Sequence, residues 1–157
     1  MNKCRFTVEQ GKCLLEKAGL KNVGLNLENL PEPSDFDEEH KKWRNAIIRA
    51  SEEGGLNFTH GVAAKLINIY LKSIYVCSNE YNNEKVKAIH PPIDSVLLDA
   101  LYKENVAEKK DKWQAARKVK WSKFNCRQYQ EVIDAIKTTI SKERGLWEIE
   151  EHWQGYQ

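Results

Sequence analysis

Two stretches decide how this chain is read: GVAAKLINIYLK, Gly61 to Lys72, and HPPIDSVLLDAL, His90 to Leu101. In the first, Val62, Leu66, Ile69 and Tyr70 recur at helical spacing, Ile74 extends the stripe, and Thr59 stands where a cap belongs. In the second, Ile93, Val96, Leu97, Ala100 and Leu101 fall at i, i+3, i+4, i+7 and i+8, the pattern of an amphipathic helix. Pro91-Pro92 suits a first helical turn, where a missing N–H costs nothing. Asp94, placed in that turn, suits the positive end of the helix dipole. Packing accounts for the apolar residues of both stretches. It leaves Gly61, Lys65 and Asp94 to be explained.

The helical signature continues on either side. Thr7 and Gln10 have capping-box spacing ahead of a first helix that Gly19 ends. Residues 20–33 read as a loop that tacks Leu25, Leu27 and Leu30 onto the core. Ser34 is placed to cap a long helix with an acidic first turn and an apolar side of Phe36, Trp43, Ile47 and Ile48, ended by Gly54-Gly55. Residues 78–90 are a second loop. A more polar helix spans Val106–Val119. Asn125 and Gln128 then open another, with Tyr129, Val132, Ile133, Ile136 and Ile140 as its buried stripe. After Gly145, LWEIEEHWQ makes a short terminal helix. No alternating segment of the kind that builds a sheet occurs. The reading is all-α: one compact domain over residues 1–157, of six to seven helices.

At 157 residues, with 41% hydrophobic and 31% charged residues, the chain has the length and composition of one globular domain. No apolar run reaches membrane-spanning length, and the N-terminal MNKCRFTVEQGKC has no signal-peptide core, so the expectation is a cytoplasmic protein without membrane contact. Cys4, Cys13, Cys77 and Cys126 form no C-x-x-C pair and read as free thiols, several on apolar faces. No metal-ligand spacing, P-loop or dinucleotide fingerprint is present, so neither metal nor cofactor is expected. Charge is unevenly spread. Eight acidic residues face four basic ones between Glu28 and Glu53, against twelve basic and six acidic between Lys103 and Arg144.

GVAAKLIN followed by PPIDSVLL resembles the core of the helix-hairpin-helix base-excision DNA glycosylases. Gly61, Val62 and Lys65 match a hairpin of the type L-P-G-V-G-x-K-x-A. Pro92, Asp94, Ser95 and Val96 match a segment of the type P-V-D-[ST]-x-[IV], with Ile93 in place of valine and Ala63 at the second glycine of the hairpin. The resemblance implies duplex DNA as partner, Lys65 as a nucleophilic amine, Asp94 as the carboxylate beside it, and Gly61 at a phosphate-binding hairpin. An amine attacking the sugar C1′ forms a Schiff base, and a carboxylate stabilises the oxocarbenium-like centre. The extruded base needs an aromatic or apolar pocket, for which Trp113, Trp121, Phe124 and Tyr129 are candidates. Separately, RKVKWSKF interleaves Arg117, Lys118, Lys120 and Lys123 with Trp121 and Phe124, a composition suited to phosphates and stacked bases.

Two other readings stand beside this one. A non-catalytic helical module that binds a protein partner, or itself, explains every helix, cap and charge. A hydrolase built on His60, His90 and Asp94 requires those three to share one pocket. His40 and His152 read as surface residues.

Overall fold

The computed structural model describes residues 5–153, and every regular element among them is helical. The helices are α1 (Val8–Lys17), α2 (Leu20–Val23), α3 (Phe36–Glu53), α4 (His60–Leu71), α5 (Glu84–Lys87), α6 (Ser95–Lys103), α7 (Lys110–Val119) and α8 (Cys126–Lys137). Short 3₁₀ turns lie between and after them, the longest being the terminal Leu146–His152, and α4 runs directly into a π-helical turn, Lys72–Val76. The count exceeds six to seven because α2 and α5 are single turns inside the stretches read as loops. A four-residue helix carries no periodicity to detect, although Leu20, Val23 and Val86 are buried. No helix among the described residues is long and apolar enough to cross a membrane.

Caps decide most boundaries. Thr7 with Gln10, and Asn125 with Gln128, form complete capping boxes, while the Thr59 hydroxyl accepts from Val62 N–H. Ser34 does not cap α3. Pro33–Asp35 is a separate 3₁₀ turn, and α3 starts one residue later, at Phe36. The double proline lies ahead of α6 rather than in its first turn. Asp94 is the N-cap itself, in extended geometry, its Oδ1 2.9 Å from Leu97 N. The polar helix expected over 106–119 is divided, because Asn105, Ala107 and Glu108 take positive φ and α7 begins only at Lys110.

Two apolar clusters make up the core of one compact domain. The first joins α1, α3 and α4 through Leu14, Phe36, Trp43, Ile47, Ile67 and Leu71. The second joins α6, α7 and α8 through Leu97, Leu101, Trp113, Tyr129, Ile133 and Ile136. Helix α4 takes part in both, with Ala63 in one and Ala64 in the other, so it is covered almost all round. Its expected stripe is therefore too narrow. Ile67 and Leu71 are buried, Val62, Leu66, Tyr70 and Ile74 are packed at the margin, and Ile69 is exposed. On α6, Leu98 is buried and Val96 exposed, the reverse of the simple stripe, because α7 packs across that face. Cys13 and Cys77 are exposed free thiols rather than residues of apolar faces, Cys126 is half-buried, and Cys4 lies outside the described residues.

Gly61 is a packing requirement. A Cβ built there would stand 1.8 Å from the Trp121 carbonyl oxygen, and its own N–H donates to the Phe124 carbonyl at 3.2 Å. Backbone cannot move away as a flexible side chain would. Gly61→Ala is therefore expected to cost at least about 1–3 kcal/mol in urea denaturation, by forcing the 121–124 segment off α4. Wild-type stability in that variant would contradict this close approach.

Candidate functional site

Lys65 and Asp94 meet. Lys65 lies on the second turn of α4, Asp94 caps α6, and Nζ to Oδ2 is 3.9 Å, with both side chains about a quarter exposed (29% and 23%). The ammonium also sits 4.4 Å from the centroid of the Trp121 ring, so a carboxylate and an aromatic face hold one cation from two sides. The pair stands at one end of a shallow groove of about 360 Å³, walled by Pro92 and Trp153, whose other end is the Lys72–Glu150 ion pair.

The basic turn is keyed to the same place. Trp121–Lys123 is a 3₁₀ turn between α7 and α8, pinned to the start of α4 by Gly61 N–H to Phe124 O and by Thr59 Oγ1 donating to Ser122 O at 2.7 Å. Lys118, Lys120 and Lys123 are exposed around it. Lys120 has φ 75°, ψ 128°, a left-handed backbone that suits glycine. Arg117 points elsewhere, held 2.7 Å from Asp99 and stacked 4.2 Å over Tyr102. Of the candidate base-stacking residues, Trp113, Phe124 and Tyr129 are buried in the core, and Trp121 alone of the four is partly exposed. The Gly61 N–H expected to meet a phosphate is engaged by Phe124.

His60 and His90 do not share a pocket with Asp94. His90 has no exposure, with Tyr129 and Asp37 each 2.8 Å away, and His60 accepts from Arg44 Nε at 3.1 Å. Both belong to a buried polar chain. Its directions follow from its ends, because a guanidinium only donates and a carboxylate only accepts. Arg44 Nη1 donates to His40 Nδ1 at 2.5 Å, which leaves the proton on Nε2 to go to Asn68 Oδ1 at 2.8 Å. Asn68 Nδ2 donates to Tyr129 Oη (3.1 Å) and to Pro91 O (3.0 Å). The tyrosine proton then goes to His90 Nδ1, and His90 Nε2–H to Asp37 Oδ1. Lys137 and Gln130 hold the other Asp37 oxygen. Among the described residues, Trp147 Nε1 is a buried polar side-chain atom without a hydrogen-bond partner, and it lies outside this network.

His40 is thus fully buried, not a surface residue. It shares one face of α3 with Phe36, Trp43, Arg44 and Ile47, where two polar residues interrupt the apolar stripe and hide the burial from a reading by hydrophobicity. His152 is half-exposed, 2.6 Å from Glu104. Among the described residues no group of three His, Cys, Asp or Glu is placed to hold a metal ion. No protein-family model, curated protein or solved structure matches this chain, so its reading rests on its own residues.

Burial, helped by the Arg44 charge and by competition with the neighbouring His90 for a proton, holds His40 well below the ordinary imidazole value, and burial also lowers His90 against the pull of Asp37. Burial with Arg44 and Lys41 brings His60 down to about 4. Burial would raise the Asp37 carboxyl, yet His90 and Lys137 hold it far below its usual range. Groups with folded values below the unfolded ones bind protons more readily unfolded, so their stabilisation is complete above the unfolded imidazole value of 6.5 and is lost as pH falls below it. Asp37 adds a further loss below its unfolded value of 3.8. Urea-measured stability is expected to fall as pH drops below 6.5, by at most about 1.4 kcal/mol per pH unit for each of His40 and His90 while it stays neutral in the folded protein. A profile flat down to pH 5 would contradict the neutral, singly protonated assignment.

Proposed function

We propose that this protein acts on duplex DNA in the cytoplasm through the Lys65–Asp94 groove, by base-excision glycosylase or lyase chemistry. One observation carries the reading. An amine and a carboxylate from separate helices, 29 residues apart in sequence (94 − 65), stand 3.9 Å from each other at the mouth of an open groove. The resemblance of GVAAKLIN and PPIDSVLL to the helix-hairpin-helix glycosylases singles out the same two residues.

In this reading the unprotonated Lys65 amine attacks C1′ of the target nucleotide. The N–C1′ bond forms as the glycosidic bond breaks, and the base leaves with that electron pair and takes a proton from solvent. Opening of the sugar ring, with the proton lost by the amine passing by way of Asp94 to the ring oxygen, gives the protonated imine. Asp94 stabilises the positive charge that develops at C1′ and takes up the proton released by the amine. Trp121 fixes the amine, and Lys118, Lys120 and Lys123 meet backbone phosphates on the turn that carries it. Arg117, held against Asp99 and Tyr102 of α6, takes no part in that turn. Gly61 serves by admitting the turn against α4, since its N–H is taken. The backbone of Lys120 favours the functional reading of its side chain, because glycine would hold φ 75° at less cost.

The Lys65–Asp94–Trp121 contacts also favour a second reading, in which they latch α4, α6 and the turn together in a non-catalytic module that binds a protein partner. The two readings part on chemistry and on salt. For the first, the full chain is expected to form a borohydride-stable adduct with duplexes containing an abasic site, and Lys65→Ala to reduce it by at least about 100-fold. Asp94→Asn keeps the cap and is expected to melt like wild type while losing adduct formation, whereas Asp94→Ala also loses about 1 kcal/mol of cap energy. Absence of any adduct across abasic and damaged duplexes, with no DNA affinity at low salt, would leave the second reading. Lys120→Gly is expected to raise stability by about 1 kcal/mol while lowering the slope of log affinity against log salt by about 0.9. An unchanged slope would remove Lys120 from the DNA interface.

A further inference from the structure

A second cavity, of about 450 Å³, opens at the start of α3 and shares no residue with the Lys65–Asp94 groove. Asp35, Glu38, Glu39 and Lys42 line it, Val23 and Pro31 complete the wall, and Trp43 reaches it from the core. The Lys42 ammonium is bonded to Glu39 at 3.0 Å and feels Asp35 and Glu38 only at longer range. Among the described residues the Asp35 and Glu38 carboxylates have no cation within ion-pair distance. Acidic residues at a helix start suit the dipole and call for no ligand. The tryptophan does. Trp43 is only 7% exposed, and its ring stands edge-on to Phe36 at 5.8 Å and beside His40 at 6.2 Å, so it cannot turn. Its indole N–H has no acceptor among the described residues, yet it is not sealed in the core as Trp147 Nε1 is. It is therefore a donor on an otherwise buried ring, open to solvent where that ring meets the cavity.

A fixed donor in the wall and two unpaired carboxylates on the rim require complementary groups of one ligand, an acceptor for the first and a cation for the second. We infer that this cavity receives an arginine of a basic protein partner, its guanidinium between Asp35 and Glu38 and its backbone carbonyl on the Trp43 N–H. Asp35 and Glu38 are three residues apart at the head of α3, which makes them neighbours on one face with Cβ atoms about 5–6 Å apart. A planar fork with five donors serves two carboxylates at once, whereas an ammonium is a point charge. The acceptor has to be neutral, because three carboxylates already face one ammonium here and a further anion would be repelled. That selects an arginine within a peptide over the free amino acid. The volume lies within the range of about 300–1,000 Å³ typical of ligand sites and admits the side chain with its adjoining backbone. The site stands whether or not Lys65 acts on DNA.

The test titrates the full chain with N-acetyl-arginine amide and follows the indole N–H signals by proton–nitrogen NMR, the Trp43 peak being assigned through its backbone neighbours. That peak is expected to move saturably. N-acetyl-citrulline amide, which has the same shape without the charge, and free arginine are each expected to bind at least about tenfold more weakly. Glu38→Gln and Asp35→Asn, both at exposed positions, are each expected to weaken binding by about fivefold, and Lys65→Ala to leave it within about twofold. No saturable movement of the Trp43 peak, or citrulline amide binding as tightly as arginine amide, overturns the site. Unchanged binding in both carboxylate variants overturns it as well. Free arginine binding as tightly as the amide overturns the protein partner as its source.

Discussion

Arg44 is the group to which the rest of the molecule must answer. A guanidinium stays charged at any pH the protein meets, and this one has no solvent exposure. An uncompensated buried charge of this kind costs several kcal/mol. The fold compensates it with acceptors gathered from distant parts of the chain: His40 one turn earlier on α3, His60 at the start of α4, and Cys126 at the start of α8, with the Tyr129 ring 4.6 Å below. These partners are neutral, so the charge is relayed through oriented hydrogen bonds until it meets Asp37 at the other end. A chain that begins at an obligate donor and ends at an obligate acceptor has only one direction, which makes it a specification of structure as much as a source of stability. Because its members come from α3, α4, the stretch before α6, and α8, a register shift of any one of them would strand a buried polar group.

The same constraint positions the groove. Asn68 fastens α4 to Pro91 and Tyr129, and Gly61 fastens it to the 121–124 segment. Between those points, on the neighbouring face, the helix presents Lys65, Ile69 and Lys72. Side chains on a helix that is held inside and at its start have little freedom to drift, which a site working at hydrogen-bond distances needs. Asp94 arrives from the other apolar cluster, fixed by its capping bond to Leu97, three residues after the Pro91 carbonyl that Asn68 holds. The buried polar chain and the exposed ion pairs are thus two sides of one arrangement, the first locating the backbone on which the second depends.

Some of this was legible in the residues. Thr7 with Gln10 and Asn125 with Gln128 announced two helix starts, because a capping box is a local hydrogen-bond pattern. Tyr129, Val132, Ile133, Ile136 and Ile140 announced the buried face of α8. Lys65 and Asp94 stood out as the residues that packing left over, and their stretches carried the family resemblance. Other features were illegible for physical reasons. His40 and Arg44 occupy core positions of α3, but a polar residue is buried only when partners reach it, and those partners lie on other helices. Ile69 reads as core and is exposed, since which face of a nearly encircled helix stays open depends on its neighbours. Lys72 and Glu150, 78 residues apart, share no motif.

What the sequence determined by itself is what acts within a turn or two of helix: an all-α chain, most helix starts, the apolar face of α8, and an amine and a carboxylate near the heads of two helices. What only the tertiary structure decided is which polar groups go inside, how protons are arranged along the chain from Arg44 to Asp37, and that Lys65 meets Asp94 beside Trp121 at a groove that ends at Glu150. The reason is range. Periodicity and capping are set by bonds spanning three or four residues, whereas the partners of a buried charge or the far wall of a groove exist only once helices distant in sequence have been packed together.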